Sequence, residues 1–269
     1  MPRTSQTVIP LSRELGRLED LPQAVVAYGR DLAAGEVLPF HRHRRAQLVY
    51  ANHGVMTVTT EAAAYVVPPQ RAVWMPGGVG HRIEARGEVT MRTLYIEDSE
   101  FAEFPSDVCV LQVTPLLREL IVSAVASGPH YEPDSAQSRL MVVILDQICS
   151  QPVASLALPM PTDSRLLRVA RSMMDNPADV RDLNEWAREA GASARTLSRL
   201  FTAQTGMTFR EWRQQRRLLR ALELLASGHN VTTVAAELGY DNTSAFIAMF
   251  RRCLGTTPAR YLDSGVTSQ

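Results

Sequence analysis

Apolar positions along the chain change their spacing twice. From residue 21 to residue 110 they fall in short runs: Ala46–Tyr50 (AQLVY), Val55–Thr59 (VMTVT), Ala63–Val67 (AAYVV), Arg71–Met75 (RAVWM) and Met91–Ile96 (MRTLYI), separated by Gly, Pro or Asn. Short strands at even spacing predict a sandwich or small barrel. In VMTVT, Val55, Thr57 and Thr59 share one face. Two helices follow. In 115–128, Leu116, Leu117, Leu120, Ile121, Ala124 and Val125 form one broad apolar face, bounded by Pro115 and Gly128; in 135–150, Leu140, Val143, Ile144 and Ile148 do the same. Pro152, Pro159 and Pro161 then interrupt the pattern, so 151–162 is expected to be a semi-rigid linker. From Ser164 almost to the end the period is helical. The predicted fold class is α+β and multidomain, with a β-barrel and helices over 1–150 and an all-α domain over 163–263.

The helical part repeats itself. Ala187 and Gly191 answer to Ala235 and Gly239, and Leu197, Phe201 and Gly206 answer to Phe246, Phe250 and Gly255. Each copy, about 183–206 and 231–255, reads as a helix, a glycine turn and a second helix, the layout of a helix-turn-helix DNA reader. Asp182 with Glu185, and Thr208 with Glu211, are box-type helix starts, and Pro258 after Thr257 opens a last short helix. The helix Phe209–Ala226 joins the copies, and its 18 residues should span roughly 27 Å. A rod of that length suits successive major grooves, ~34 Å apart on one DNA face.

Charge agrees with this division. The chain has 28 arginines, no lysine, and zero net charge. Residues 162–269 hold 15 arginines against 11 acids, whereas 1–161 hold 13 against 17. A basic C-terminal part suits a phosphate-rich partner. Three cysteines without a C-x-x-C pair fit a reducing cytoplasm. No signal-type or membrane-spanning apolar run is present, so no membrane partner is expected.

In the second helix of copy one, Ser193 should be the cap, with Leu197, Leu200 and Phe201 inward. Arg195, Thr196, Ser198, Arg199 and Thr202 are then outward. Arginine suits guanine edges as well as phosphate. In copy two, Phe246, Met249 and Phe250 turn inward and leave Thr243, Ser244, Ile247 and Ala248 outside, with Arg251 and Arg252 placed for phosphate. The first copy is therefore expected to give the hydrogen-bonded base readout. The second should supply thymine-methyl contact, water-mediated contact and backbone grip.

The strand region carries one further constellation. His41 and His43, two apart, would share a strand face, Gln47 keeps that parity, and a partner strand could bring His81 opposite. Three imidazoles suit a divalent transition metal. The segment Gly35–Glu84 resembles the cupin superfamily in the spacing of its two motifs. Gln47 stands where that family has a glutamate ligand, and Gln70 where it has a glycine. Three readings stay open: histidines hydrogen-bonded without metal, a bound metal, or a metal-dependent cupin enzyme fused to a DNA-binding module. Arg42, Arg44 and Arg45 are either an attraction for an anionic effector such as a carboxylate or solvated edge charges.

From GASARTLSRLF to TTPARYL the chain resembles the AraC/XylS family of transcription regulators, including the closing Gly255, Pro258 and Tyr261. The resemblance implies a two-reader DNA-binding domain acting on double-stranded promoter DNA. It also implies a cupin-like N-terminal domain for effector binding and dimerisation, with RNA polymerase a partner if the protein is an activator. Carried over by position, the base-facing residues are Arg195, Ser198 and Arg199, then Thr243, Ser244, Ile247 and Ala248; Ala248 replaces an arginine common in the family. The expected function is a cytoplasmic, effector-controlled regulator rather than an enzyme, with a homodimer through residues 115–150 as a further expectation.

Overall fold

The computed structural model describes residues 16–97, 104–154 and 157–263. The strands are β1 (Val25–Leu32), β2 (Val37–His41), β3 (Ala46–His53), β4 (Met56–Thr60), β5 (Ala63–Val67), β6 (Arg71–Met75), β7 (His81–Ala85), β8 (Val89–Ile96), β9 (Cys109–Gln112), β10 (Val153–Ala154) and β11 (Ala157–Pro159). They form two sheets, ordered β1-β8-β3-β6-β9-β10 and β11-β5-β4-β7-β2. The paired strands run antiparallel throughout. The sheets close on a lumen filled by Val49, Met56, Val58, Met75, Ile83 and Met91.

The first sheet is buried on both faces. Ala46, Leu48 and Tyr50 of β3, with Trp74 of β6, point away from the lumen into a second core under α1 (Pro115–Ser127) and α2 (Ala136–Cys149). Val49 and Ala51 point the other way. This explains why AQLVY reads as an unbroken apolar run instead of an alternation. Thr114 Oγ1 accepts from the Leu117 amide at the start of α1, and Ser135 Oγ from the Ser138 amide at the start of α2. The apolar faces are rotated from the expected ones. Leu117, Ile121 and Ala124, then Met141, Ile144, Leu145 and Ile148, are buried. Leu116 and Val143, expected inside, are exposed, as is Val142. Both helices carry more apolar residues than one sheet face can cover.

The reader half consists of α3 (Ser164–Asp175), α4 (Leu183–Ala190), α5 (Ala194–Thr205), α6 (Phe209–Ala226), α7 (Val231–Glu237), α8 (Thr243–Leu254) and α9 (Pro258–Asp263). Both expected capping boxes are present, Asp182 with Glu185 and Thr208 with Glu211. The two repeats turn alike. The Ala192 amide donates back to Ala187 O at 2.9 Å, and the Tyr240 amide to Ala235 O at 3.0 Å. Gly191 and Gly239 take φ of +67° and +72°; at Gly239 a Cβ would also sit 3.0 Å from Ala178 O, so glycine is needed there twice over.

The segment expected to link the halves is built into the barrel. β10 pairs with β9, and β11 with β5 through Ala157↔Tyr65, Leu158↔Ala64 and Pro159↔Ala63. Pro159 at the end of an edge strand needs no amide donor. Its carbonyl accepts a hydrogen bond from the Trp212 indole of α6 at 2.7 Å, and Trp212 is fully buried. Thr162 and Asp163 donate their amides to Gln204 Oε1, both at 3.0 Å. The lumen residues and the reader core make one continuous apolar cluster.

Candidate functional site

The positions expected to face bases lie on α5 and α8. Ser193 Oγ caps α5 by accepting from the Thr196 amide at 3.1 Å, and Asn242 Oδ1 caps α8 from the Ala245 amide at 2.8 Å. Leu197 and Phe201, and in the other copy Phe246, Met249 and Phe250, anchor the two helices inward. Arg195 and Arg199 are exposed, and Ser198 is half-buried. They stand four apart on one face of α5. The Thr196 hydroxyl lies 2.9 Å from Ser193 Oγ, so it is engaged at the cap. On α8, Ser244 and Ala248 are exposed and Thr243 half-buried, while Ile247 is half-buried against the core rather than fully outward. It packs against that core, so only part of it faces out. Ala245, which sequence reasoning left out, is exposed on the same helix. Arg251 and Arg252 are exposed in the last turn of α8, where a cation also suits the helix dipole.

Other arginines of this half hold structure. Arg181 stacks over the Trp186 ring at 3.6 Å and pairs with Asp179 at 2.7 Å. Arg213 and Arg217 bond the backbone carbonyls of Arg181 and Pro177. The excess positive charge is thus partly spent inside the fold.

The histidines meet. His41 of β2 is the register partner of His81 of β7, and their rings are 4.3 Å apart; His43 lies 5.2 Å from His81 and 6.0 Å from His41. One ligand atom from each falls within 4.8 Å of the others. The route differs from the expected single strand. β2 ends at His41, and His43 sits in the connection before β3. Three backbone carbonyls orient the rings through Nδ1: Pro39 O for His41 at 2.8 Å, Arg45 O for His43 at 2.6 Å and Val79 O for His81 at 3.0 Å. His81 Nε2 is buried without a hydrogen-bond partner. Gln47 Oε1 is 3.0 Å from His43 Nε2, while its amide donates to Thr93 Oγ1 at 2.9 Å, which fixes the oxygen toward the histidines. Burial pushes the His81 pKa down to about 3, against a smaller opposing effect of its bond to Val79 O; burial lowers His41 in the same way.

Of the three neighbouring arginines, two are occupied. Arg45 is buried and donates to the carbonyls of Leu21, Gln23 and Ala24; Arg44 bonds Glu19 and faces Glu97 at 3.6 Å. Arg42 remains exposed and lines a cavity of about 410 Å³ with Thr60, Glu61, Tyr65, Val79 and Asp107, at the barrel end where Thr60 pairs with His81.

Known proteins resemble both halves. Residues 24–149 match the AraC-like ligand binding domain, and residues 186–264 match a helix-turn-helix domain. The transcriptional regulator NimR of Escherichia coli is 39% identical over 241 residues, covering 89% of this chain and 88% of NimR. The chain belongs to the AraC-type family of transcription regulators. RipA of Corynebacterium glutamicum is 40% identical over 103 residues, 38% of this chain and 31% of RipA. Among solved structures, ToxT of Vibrio cholerae aligns with 90% of this chain and 99% of its own, at 10% identity and a TM-score of 0.39. As an AraC-type protein, the chain is a DNA-binding transcription regulator with an N-terminal domain of the ligand-binding type. None of its described helices is long and apolar enough to cross a membrane.

The depressed His81 pKa has a consequence for stability. The unfolded chain takes up a proton there below about pH 6.5, whereas the folded chain refuses it until about pH 3. Stability is therefore complete above that window and declines as the pH falls through it. In metal-free buffer, the urea midpoint of the wild type should drop between pH 7 and pH 4.5 by more than that of His81→Gln. Equal drops would mean that the buried imidazole does not set the acid limb.

Proposed function

We propose that the regulator reads its operator chiefly through α5. Arg195 and Arg199 would reach guanine edges, with Ser198 and the Thr196 methyl beside them. Thr243, Ser244, Ala248 and the exposed part of Ile247 would contact thymine methyls and water from α8, and Arg251 would grip phosphate. The observation that carries this is the contrast between exposed arginines four apart on α5 and an α8 whose exposed positions are neutral until Arg251 and Arg252 in its last turn. An Arg199→Ala substitution should cost about 1–3 kcal/mol of discrimination at one base pair. Footprinting and binding titrations against the promoter of the chain's own or a neighbouring gene would measure it; equal affinity for all duplexes, before and after substitution, would sink the reading.

The effector site belongs in the barrel. A divalent transition metal would be held by Nε2 of His41, His43 and His81, with Gln47 Oε1 as a weaker fourth donor. The unpartnered, buried His81 Nε2 supports this. Metal here would be a regulatory ligand, and the protein would act as a cytoplasmic regulator rather than an enzyme. A small molecule could enter by the Arg42-lined cavity and would act only through unequal affinity for two arrangements of the chain. Dialysis against Zn(II) followed by elemental analysis should give one ion per chain, lost in His43→Ala. No stoichiometric metal in the wild type would leave the histidines as hydrogen-bonding groups.

The halves divide the labour: 1–150 for effector and dimer contacts, 151–162 as their connection and 163–263 for DNA. A homodimer would form through the outward side of α1 and α2, where Leu116, Val142 and Val143 are exposed. On α2, Arg139 and Asp146 are both exposed and lie equally far on either side of the valine pair. A two-fold axis there would set each arginine opposite the partner's aspartate. An activator would add a contact with RNA polymerase. Val143→Asp should convert a dimer into a monomer in analytical ultracentrifugation at micromolar concentration; a wild type that is already monomeric would remove this surface.

A further inference from the structure

Beside the second core, between the start of β1 and α2, lies a cavity of about 750 Å³. Ser138, Met141, Val142, Leu145, Asp146 and Cys149 line it at helical spacing, so one face of α2 forms a wall. Residues 22–25, Phe104 and the connection between α1 and α2 close the other sides. Its two aromatic residues are fixed by their neighbours. Phe104 stacks on Trp74 with ring centroids 4.4 Å apart, and the Trp74 indole donates to Pro105 O at 2.9 Å. The Tyr131 hydroxyl donates to Val25 O at 3.1 Å and accepts from the Val25 amide at 3.3 Å, while Gln23 Nε2 donates to Tyr131 O at 3.2 Å. The charge is one-sided. Glu132 and Asp146, both exposed, line the cavity, and no arginine does. Neither carboxylate has an ion pair among the described residues. Two neighbouring arginines are bound elsewhere, Arg45 to the carbonyls of Leu21, Gln23 and Ala24, and Arg139 to that of Asp134.

We propose that this cavity binds a small organic cation, an apolar body that carries an ammonium head. The body rests against Met141, Val142, Leu145 and the two rings, and the head is drawn to Glu132 and Asp146. Aromatic rings attract a cation through their quadrupole, and unpaired carboxylates add a Coulombic pull. A concave, mostly apolar space of this volume with a few polar groups suits a small molecule. Walls that are already fixed lose little freedom when it binds. An anion of the same shape meets repulsion instead. The site lies outside the barrel, so it depends neither on a metal at the histidines nor on the Arg42-lined cavity. Asp146 is also the residue that a dimer through α2 would set opposite the partner's Arg139. Where that dimer reading holds, cation and partner compete for one carboxylate, and each weakens the other's binding by a common factor.

The test titrates the full chain by calorimetry, at neutral pH and low ionic strength, with three probes that share one body: phenethylammonium, phenethyl alcohol and hydrocinnamate. Saturable binding of phenethylammonium is expected, about tenfold tighter than that of the alcohol, with hydrocinnamate weaker still. Glu132→Gln and Asp146→Asn, both at exposed positions, should each weaken the ammonium about threefold and leave the alcohol unchanged. Three results overturn the proposal: no saturable binding of the ammonium, an affinity for the alcohol or the carboxylate that equals or exceeds it, or an ammonium affinity unchanged in both variants. Val143→Asp changes a residue that does not line the cavity. Ammonium binding should persist in it, so the dimer reading can fail while the cation site stands, and the reverse.

Discussion

The arrangement of this regulator depends on β11. Three residues, Ala157 to Pro159, close the second sheet against β5 and hand the Pro159 carbonyl to the Trp212 indole. Trp212 lies in α6, the helix that joins the two readers, so the barrel is fastened to the element that sets reader spacing. Further ties act around it: Ser227 Oγ donates to Arg86 O at 3.2 Å, and Gln70 Nε2 to Tyr261 O at 3.4 Å. Each is worth only about 1 kcal/mol, but they surround a shared apolar core. A shift in the second sheet, which carries His41 and His81 at its β2–β7 edge, is therefore felt by α6 without a flexible tether in between.

Much of this was legible in the chain. The reader repeat and its caps follow from local chemistry: a side-chain oxygen, an amide two or three residues on, and a left-handed glycine. Those interactions span few residues, so the sequence predicts them at residue level. The helices α4 to α9 accordingly stand where expected. The barrel was visible as a class, but β1, β2 and β7 were not read as runs. β7 (His81–Ala85) alternates Arg82 and Glu84 with buried His81, Ile83 and Ala85, because its alternate side chains face out of the barrel.

What escaped was decided by distant partners. Which side of α2 is buried depends on where the first sheet's outer face lies, and that put Met141 and Leu145 inside in place of Val143. The fate of Arg44 and Arg45 depends on residues 19–24 crossing near them. The prolines of 151–162 have the pattern of breakers, whereas Pro159 ends an edge strand, where a missing amide costs nothing. The histidine cluster was anticipated in its members but not in its construction, since a bend rather than one strand brings His43 beside His41.

The substitution of Gln70 for a motif glycine marks one further property of the molecule. A glycine there would leave the turn before β6 bare. The glutamine side chain instead reaches the carbonyl of Tyr261 in the closing turn of the reader half. A position that looks like decay of an ancestral barrel signature is thus a mortise cut for the other half of the chain. Dividing the protein near residue 162 would strip away that joint and leave the Trp212 indole without its acceptor. The two halves are readable as modules in sequence, but in folding terms they were fitted to one another.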